Sequence, residues 1–347
     1  MELGTKTLAE IESQPRLWAE ALRQFERRAG ELEALWLGTA FDEIIFTGCG
    51  STYYAGMMSA ALLQAGTGVT ARAVSATELM QFPEMIVGAH RTSLLICLSR
   101  SGTTRETVTA AQAYRNHGGH SIIVLTCNSD SPLAQTADVL VAIDAAQEES
   151  RVQTRSFSSM VVAVTALAAL FSGRDWRVLS SLPERLEHLT QVSADMVNRL
   201  GNDLSITQFV FLGSGALYGL ACEAMLKMTE MAKLFTISFH MLEYMHGPHY
   251  TATSTTQIIG LLSESARDEE VRVLNTLHQR GIPLLTLADS DNGLATGGDV
   301  ILLESGLPEW GRGILYLPPL QRICWLQAVG RGFDPDNLPY RPPRAQG

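Results

Sequence analysis

The chain has 347 residues, 46% of them hydrophobic and 18% charged, a profile that suits a globular protein with one large or two ordinary cores. Its net charge of −10 excludes the nucleic-acid partners that demand clustered Lys and Arg. No apolar run is long enough to span a bilayer, and Met1-Glu2-Leu3-Gly4 opens no signal peptide. The cysteines, Cys49, Cys97, Cys127, Cys222 and Cys324, are scattered and lack metal spacing, which predicts reduced core residues, a cytoplasmic location and no structural metal.

Residues from Thr7 to Leu37 read as an amphipathic helix pair broken near Pro15. Asp42 to Thr47 is a short apolar strand. It runs through Gly48-Cys49-Gly50-Ser51-Thr52 into a helix from Tyr53 to Gly66. A strand over Val69 to Val74, a short helix over Ala76 to Phe82 and a strand over Ser93 to Leu98 follow. The segment Ser99-Arg100-Ser101-Gly102-Thr103-Thr104 then leads into a helix over Glu106 to His117. Ser121 to Thr126 and Val139 to Ile143 are strands, Thr154 to Phe171 is a long apolar helix, and Leu182 to Leu200 is a more polar one.

Phe209-Val210-Phe211-Leu212 is the right size for a buried parallel strand. Gly213-Ser214-Gly215 turns the chain into a helix from Leu217 to Lys233 that is rich in good helix formers. Beyond it lie strands over Gln257 to Leu262, Pro283 to Ala288 and Val300 to Glu304, a helix over Asp268 to Arg280, a last helix over Pro319 to Gly330, and a Pro-rich tail. Strands alternating with helices predict parallel sheets. The pattern occurs twice, so the expectation is an α/β protein made of two similar domains, each an open, doubly wound sheet. The expected divisions are 1–38, 39–178, 179–204, 205–333 and 334–347.

Two stretches can carry chemistry. Ser99 to Thr104 sets four hydroxyls and a glycine at a helix N-terminus, where converging N–H groups and the helix dipole favour an anion. A well-capped helix is the plainer reading, but a cap needs only one such residue. The stretch is neither a Walker loop nor a dinucleotide fingerprint, which points to a monophosphate. The second stretch places Glu223, Lys227 and Glu230 within roughly 60° of one another on one helix face. Such a trio is either a solvated ladder worth about 0.3–0.5 kcal/mol or a proton-handling site.

The motifs TGCGSTYYAG, LSRSGTTRET, QTRSF, LACEAMLKMTE and MHGPH, in that order, resemble the SIS (sugar isomerase) domain family. In detail they resemble the isomerase half of glucosamine-6-phosphate synthase and its stand-alone phosphosugar isomerase and deaminase relatives. The resemblance implies two flavodoxin-like SIS domains preceded by a helical segment. It implies that Gly50, Ser51, Thr52, Ser99, Arg100, Ser101 and Thr104 hold a sugar phosphate and that Gln153 and Thr154 line the sugar. Glu230 matches the base that moves a proton between C1 and C2 through a cis-enediol(amine), with Lys227 beside it. Glu223 matches the carboxylate that orients a histidine. His246 matches that histidine, which opens the ring from the neighbouring subunit of a homodimer. Taken alone, His246 would be an ordinary loop histidine; His-Gly-Pro beside Glu243 and His249 favours catalysis.

Two departures bear on the activity. No glutaminase half is expected, and Asn337-Leu338-Pro339-Tyr340 stands where the synthase has a Schiff-base lysine; Arg100 also replaces its usual glutamine. These imply a cofactor-free phosphosugar aldose–ketose isomerase or aminosugar-6-phosphate deaminase of aminosugar metabolism. A fructosamine-6-phosphate deglycase and a non-catalytic sugar-phosphate sensor are the alternatives, the sensor disfavoured because it needs no proton shuttle.

Overall fold

The computed structural model describes residues 3–88, 91–292, 294 and 296–338. The chain divides into two compact units, one comprising residues 16–148 and 155–180, the other residues 3–15, Glu149–Thr154 and Ser181–Leu338. Each contains one five-stranded sheet.

The first sheet is built from β1 (Glu43–Gly48), β2 (Thr70–Ser75), β3 (Ser93–Ser99), β4 (Ser121–Thr126) and β5 (Val139–Ala142). All pairs are parallel and the order is β2-β1-β3-β4-β5. β1, β3 and β4 are buried along their whole length, because helices cover both faces of a parallel sheet. On one face Ile45, Leu95, Cys97, Ile122 and Val124 pack with Val108, Ala111 and Tyr114 of the helix Arg105–Asn116. Tyr114 anchors that helix by donating its buried hydroxyl to the Ser93 carbonyl at 2.6 Å. The helices Ser51–Thr67 and Arg155–Phe171 also pack on this sheet, against β1 and β4 respectively.

The second sheet contains β6 (Gln208–Gly213), β7 (Thr236–His240), β8 (Thr256–Leu261), β9 (Leu284–Ala288) and β10 (Asp299–Leu302), again all parallel. Its order, β7-β6-β8-β9-β10, repeats that of the first. In both, the direction of winding reverses at the first strand, and ligands of such sheets bind beyond the strand ends at that point. The expected doubly wound α/β fold is therefore present twice.

Two elements differ from expectation. One is β7: Thr-Ile-Ser-Phe-His is an edge strand in which Thr236 is buried and Ile237 and Phe239 pack partly buried against the core. The polar helix expected over Leu182 to Leu200 is two helices, Leu182–Val192 and Ala194–Gly201. Ser193 separates them and returns its hydroxyl to the Leu189 carbonyl at 2.7 Å, a bond that competes with regular helix geometry. No helix among the described residues is long and apolar enough to cross a membrane. Pro339 and Tyr340 lie outside the described residues.

Candidate active site

β1 and β6 each end in a Gly-x-Gly turn of the same shape. Gly50 has φ 56° and ψ −123°, and Gly215 has φ 53° and ψ −128°. That region is closed to residues with a Cβ, so both turns require glycine there. Ser51 and Thr52 are buried just inside the first helix. The Thr52 hydroxyl closes its own turn, donating to the Cys49 carbonyl and accepting from the Cys49 amide, each at 2.9 Å. Its hydrogen is thus engaged within the turn, a contact the expected anion role did not foresee.

The loop after β3 is held from behind. The carbonyls of Arg100, Ser101 and Gly102 accept from Cys127 N (3.1 Å), Asn128 Nδ2 (3.0 Å) and Leu133 N (3.1 Å). Because C=O and N–H of one planar peptide point opposite ways, the amides that follow face the loop interior. There Gly102 N donates to Ser99 Oγ at 3.1 Å, and Thr103 N donates to Ser101 Oγ at 3.2 Å. Gly102 is left-handed at φ 62°, and a Cβ on it would fall 1.9 Å from Ser131 Oγ. Thr104 is the N-cap of the helix Arg105–Asn116 but makes no side-chain cap, so the plainer reading of the hydroxyls as helix caps does not account for it.

Arg100 does not stand as an isolated extra charge. Its side chain is 22% exposed and lies 3.4 Å from the fully buried Glu148 carboxylate. Glu148 also accepts from Ser156 N at 3.2 Å and from the Ser156 hydroxyl at the start of the helix Arg155–Phe171, where the dipole favours an anion. Sequence reasoning passed over Glu148; the available cue was an acidic residue shortly before a long apolar helix.

In the other unit, the helix Ala216–Ala232 packs on β6, β7 and the helix Leu317–Gly330. It carries Glu223, Lys227 and Glu230, with side-chain exposures of 0%, 1% and 33%. The Lys227 ammonium lies 3.4 Å from Glu223 and also contacts Glu230. This is no solvated ladder: a buried ammonium sits between a buried carboxylate and one that reaches solvent, an arrangement costly to desolvate and held by its pairing. Glu223 pairs with Lys227 on its own helix. Cys324 lies beside the cluster; burial pushes its thiol pKa up, with Lys227 opposing and Glu223 adding, so it stays a neutral thiol.

Gln153 and Thr154 belong to this second unit. Thr154 is buried and its carbonyl lies 3.5 Å from Gln321 Nε2. The Gln153 side-chain oxygen is buried and meets no donor among the described residues. His246 follows the 3-10 turn Glu243–Met245 and is exposed. The hydroxyl loop and the charged helix are thus each local assemblies, while His246 is exposed at the surface.

The family model described as "SIS domain" matches residues 41–173. Residues 41–173 therefore carry a SIS domain. The chain is similar to D-galactosamine-6-phosphate deaminase of Shewanella sp. (strain ANA-3), 28% identical across 95% of this chain and 87% of the relative. It is also similar to glutamine–fructose-6-phosphate aminotransferase [isomerizing] of Pseudomonas aeruginosa, 25% identical across 95% of this chain, where it spans only 57% of the relative. Among solved structures, tagatose-6-phosphate ketose/aldose isomerase from Escherichia coli superposes with a TM-score of 0.85 at 23% identity, covering 96% of this chain and 95% of that one. The C-terminal domain of the Francisella tularensis glucosamine-fructose-6-phosphate aminotransferase gives 0.83 at 20% identity, covering 94% and 96%. At these identities the solved structures establish the fold of the chain and nothing finer.

Proposed function

We propose that this protein is an aldose–ketose isomerase of sugar phosphates whose preferred substrate is an aminosugar 6-phosphate, released as ketose phosphate and ammonia. The observation that carries the reading is Lys227, buried between Glu223 and Glu230 on one helix. A proton carrier must be held in place yet touch its substrate, and Glu230 alone of the three combines the Lys227 contact with an accessible carboxylate. Glu230 takes the proton from C2 of the open-chain aminosugar and returns it to C1. The cis-enediol(amine) collapses to an imine at C2, and water hydrolyses it to the ketose and ammonia. The Ser99–Thr104 loop holds the phosphate through inward amides and hydroxyls, with Gly50 and Ser51 beside the first turn, Thr52 closing it and Arg100 steadied by Glu148. Gln153 and Thr154 hold the sugar.

The Shewanella relative, whose name specifies a galactosamine 6-phosphate deaminase and which this chain nearly spans, supports the aminosugar choice. An exposed His246 on a short turn supports a homodimer in which this ring serves the neighbouring subunit's site and opens the sugar. We place the enzyme in the cytoplasm, where such phosphates are kept.

Proton NMR in D2O with galactosamine, glucosamine, tagatose and fructose 6-phosphates tests the proposal. Exchange at C2 of an aminosugar, with ketose and ammonia appearing together, is the expected result. Isomerisation without ammonia would remove the deaminase step, and binding shifts without exchange would replace catalysis by sensing.

A further inference from the structure

The segment Glu149–Thr154 has no helix or strand of its own, so its backbone groups need partners from elsewhere. Much of that support comes from Glu10, a buried carboxylate on the short N-terminal helix Thr5–Glu12. Glu10 accepts from the consecutive amides of Glu149 at 2.7 Å and Ser150 at 3.2 Å, and from the Ser150 hydroxyl. A carboxylate suits the task because it only accepts and can serve several donors at once. The other end of the segment is tied by a second buried link: Gln14 Nε2 donates to Gln321 Oε1 at 2.9 Å, and Gln321 reaches the Thr154 carbonyl.

The helix that carries Glu10 is itself fixed. Asp334 accepts from Gly4 N at 3.0 Å, and Asp336 accepts from Lys6 N at 2.9 Å and Thr7 N at 2.8 Å, which satisfies amides that a helix start leaves unpaired. What the clamped segment presents is Gln153, with its buried oxygen awaiting a donor. A sugar hydroxyl is the donor such an oxygen fits, and an acceptor left without one is costly.

Resting on the isomerase reading above, we propose that Glu10 is a positioning residue that fixes Gln153 and Thr154 for the sugar end of the substrate. The N-terminal helix is then part of the functional unit rather than a decoration on it. Because the phosphate is gripped elsewhere, the consequence is selective: Glu10 governs recognition of the sugar and leaves recognition of the anion alone.

The test compares wild type with Glu10→Ala and with Glu10→Gln, which keeps the shape and one acceptor oxygen. KM and kcat for the sugar phosphate are measured together with the competitive inhibition constant of inorganic phosphate. Glu10→Ala is expected to raise KM about tenfold, the worth of one charge-assisted hydrogen bond, with a smaller fall in kcat, an unchanged phosphate constant and Glu10→Gln in between. An unchanged KM, or a phosphate constant that rises in step with it, overturns the proposal. Hydrogen exchange separates this outcome from a failure of the isomerase reading. Even if wild type turns over none of the sugars, Glu10→Ala should speed exchange at Glu149 and Ser150 while the helix Ala216–Ala232 keeps its protection. Unaltered exchange there overturns the role of Glu10 by itself. Should the alanine variant fail to fold, the glutamine variant carries both measurements.

Discussion

The loops that follow β3 and β8 begin alike and end differently. After β3, Ser99 Oγ accepts from Gly102 N at 3.1 Å; after β8, Ser263 Oγ accepts from Ala266 N at the same distance. In the second loop Glu270 then enters, fully buried, and accepts from Ser263 N at 2.8 Å and Ser263 Oγ at 3.0 Å. Ser214, in the Gly-x-Gly turn after β6, acts with Ser263 to hold down the pKa of this carboxyl against the effect of burial. In the first unit that neighbour of the turn is the short Thr107, 3.7 Å from Cys49. The second cradle thus already holds a carboxylate of its own chain, whereas the first has a threonine beside its turn. The helices after the two turns differ in the opposite sense: Ser51–Thr67 carries no charged residue, whereas Ala216–Ala232 carries Glu223, Lys227 and Glu230. Repeating a fold did not repeat its chemistry. On the proposed reading, anion binding falls to one copy and proton handling to the other.

The sharpest way to break that division is at the charged helix. Glu230→Gln should lower kcat by about 10²–10⁴-fold, the usual contribution of general acid–base catalysis, with little change in urea unfolding because the side chain already reaches solvent. Full turnover by this variant would detach the helix from the chemistry. Removing Lys227 tests its support: Lys227→Met should cost about 3–5 kcal/mol in the same unfolding measurement, since Glu223 is then left buried without its ammonium.

The loops themselves can be compared at one position. Gly102→Ala forces a Cβ into Ser131 at a left-handed φ, so we expect a loss of about 1–3 kcal/mol and weaker inhibition by phosphate. Ala266→Gly, at φ −119°, should change stability by less than about 1 kcal/mol. Equal costs would erase the difference between the two cradles.

The smallest effect concerns Glu270. Burial raises its pKa above the ordinary 4.5, with bonds from Ser214 and Ser263 opposing the rise. The native state then binds the proton more tightly than the unfolded chain. The contribution is complete below pH 4.5 and is lost as pH rises through the native value. Glu270→Gln should therefore lose less thermal stability than wild type between pH 4.5 and neutrality, and parallel losses would show that ionisation of this carboxyl is not what the second cradle feels.

Much of this was readable in the chain. Apolar runs of strand length set between helix-forming segments announced both sheets, and the two Gly-x-Gly turns announced their repetition. β7 escaped because this five-residue edge strand buries only Thr236 fully and Ile237 and Phe239 partly, too short a pattern to stand out. The hydroxyl loop and the Glu-Lys-Glu face were visible because each lies within a few residues of sequence. Glu148, Glu10 and Glu270 were not marked, since each earns its place through partners met only on folding.

By itself, then, the sequence determined the alternation of elements, the turns that demand glycine and the local grouping of hydroxyls and charges, because these depend on periodicities and backbone sterics over a few residues. Only the tertiary structure decided that Lys227 is buried rather than solvated, that Arg100 is balanced by Glu148, and that one of two matching cradles is filled by its own carboxylate. Burial and long-range pairing set the energy of a charge, and neither is a property of the residues next to it in the chain.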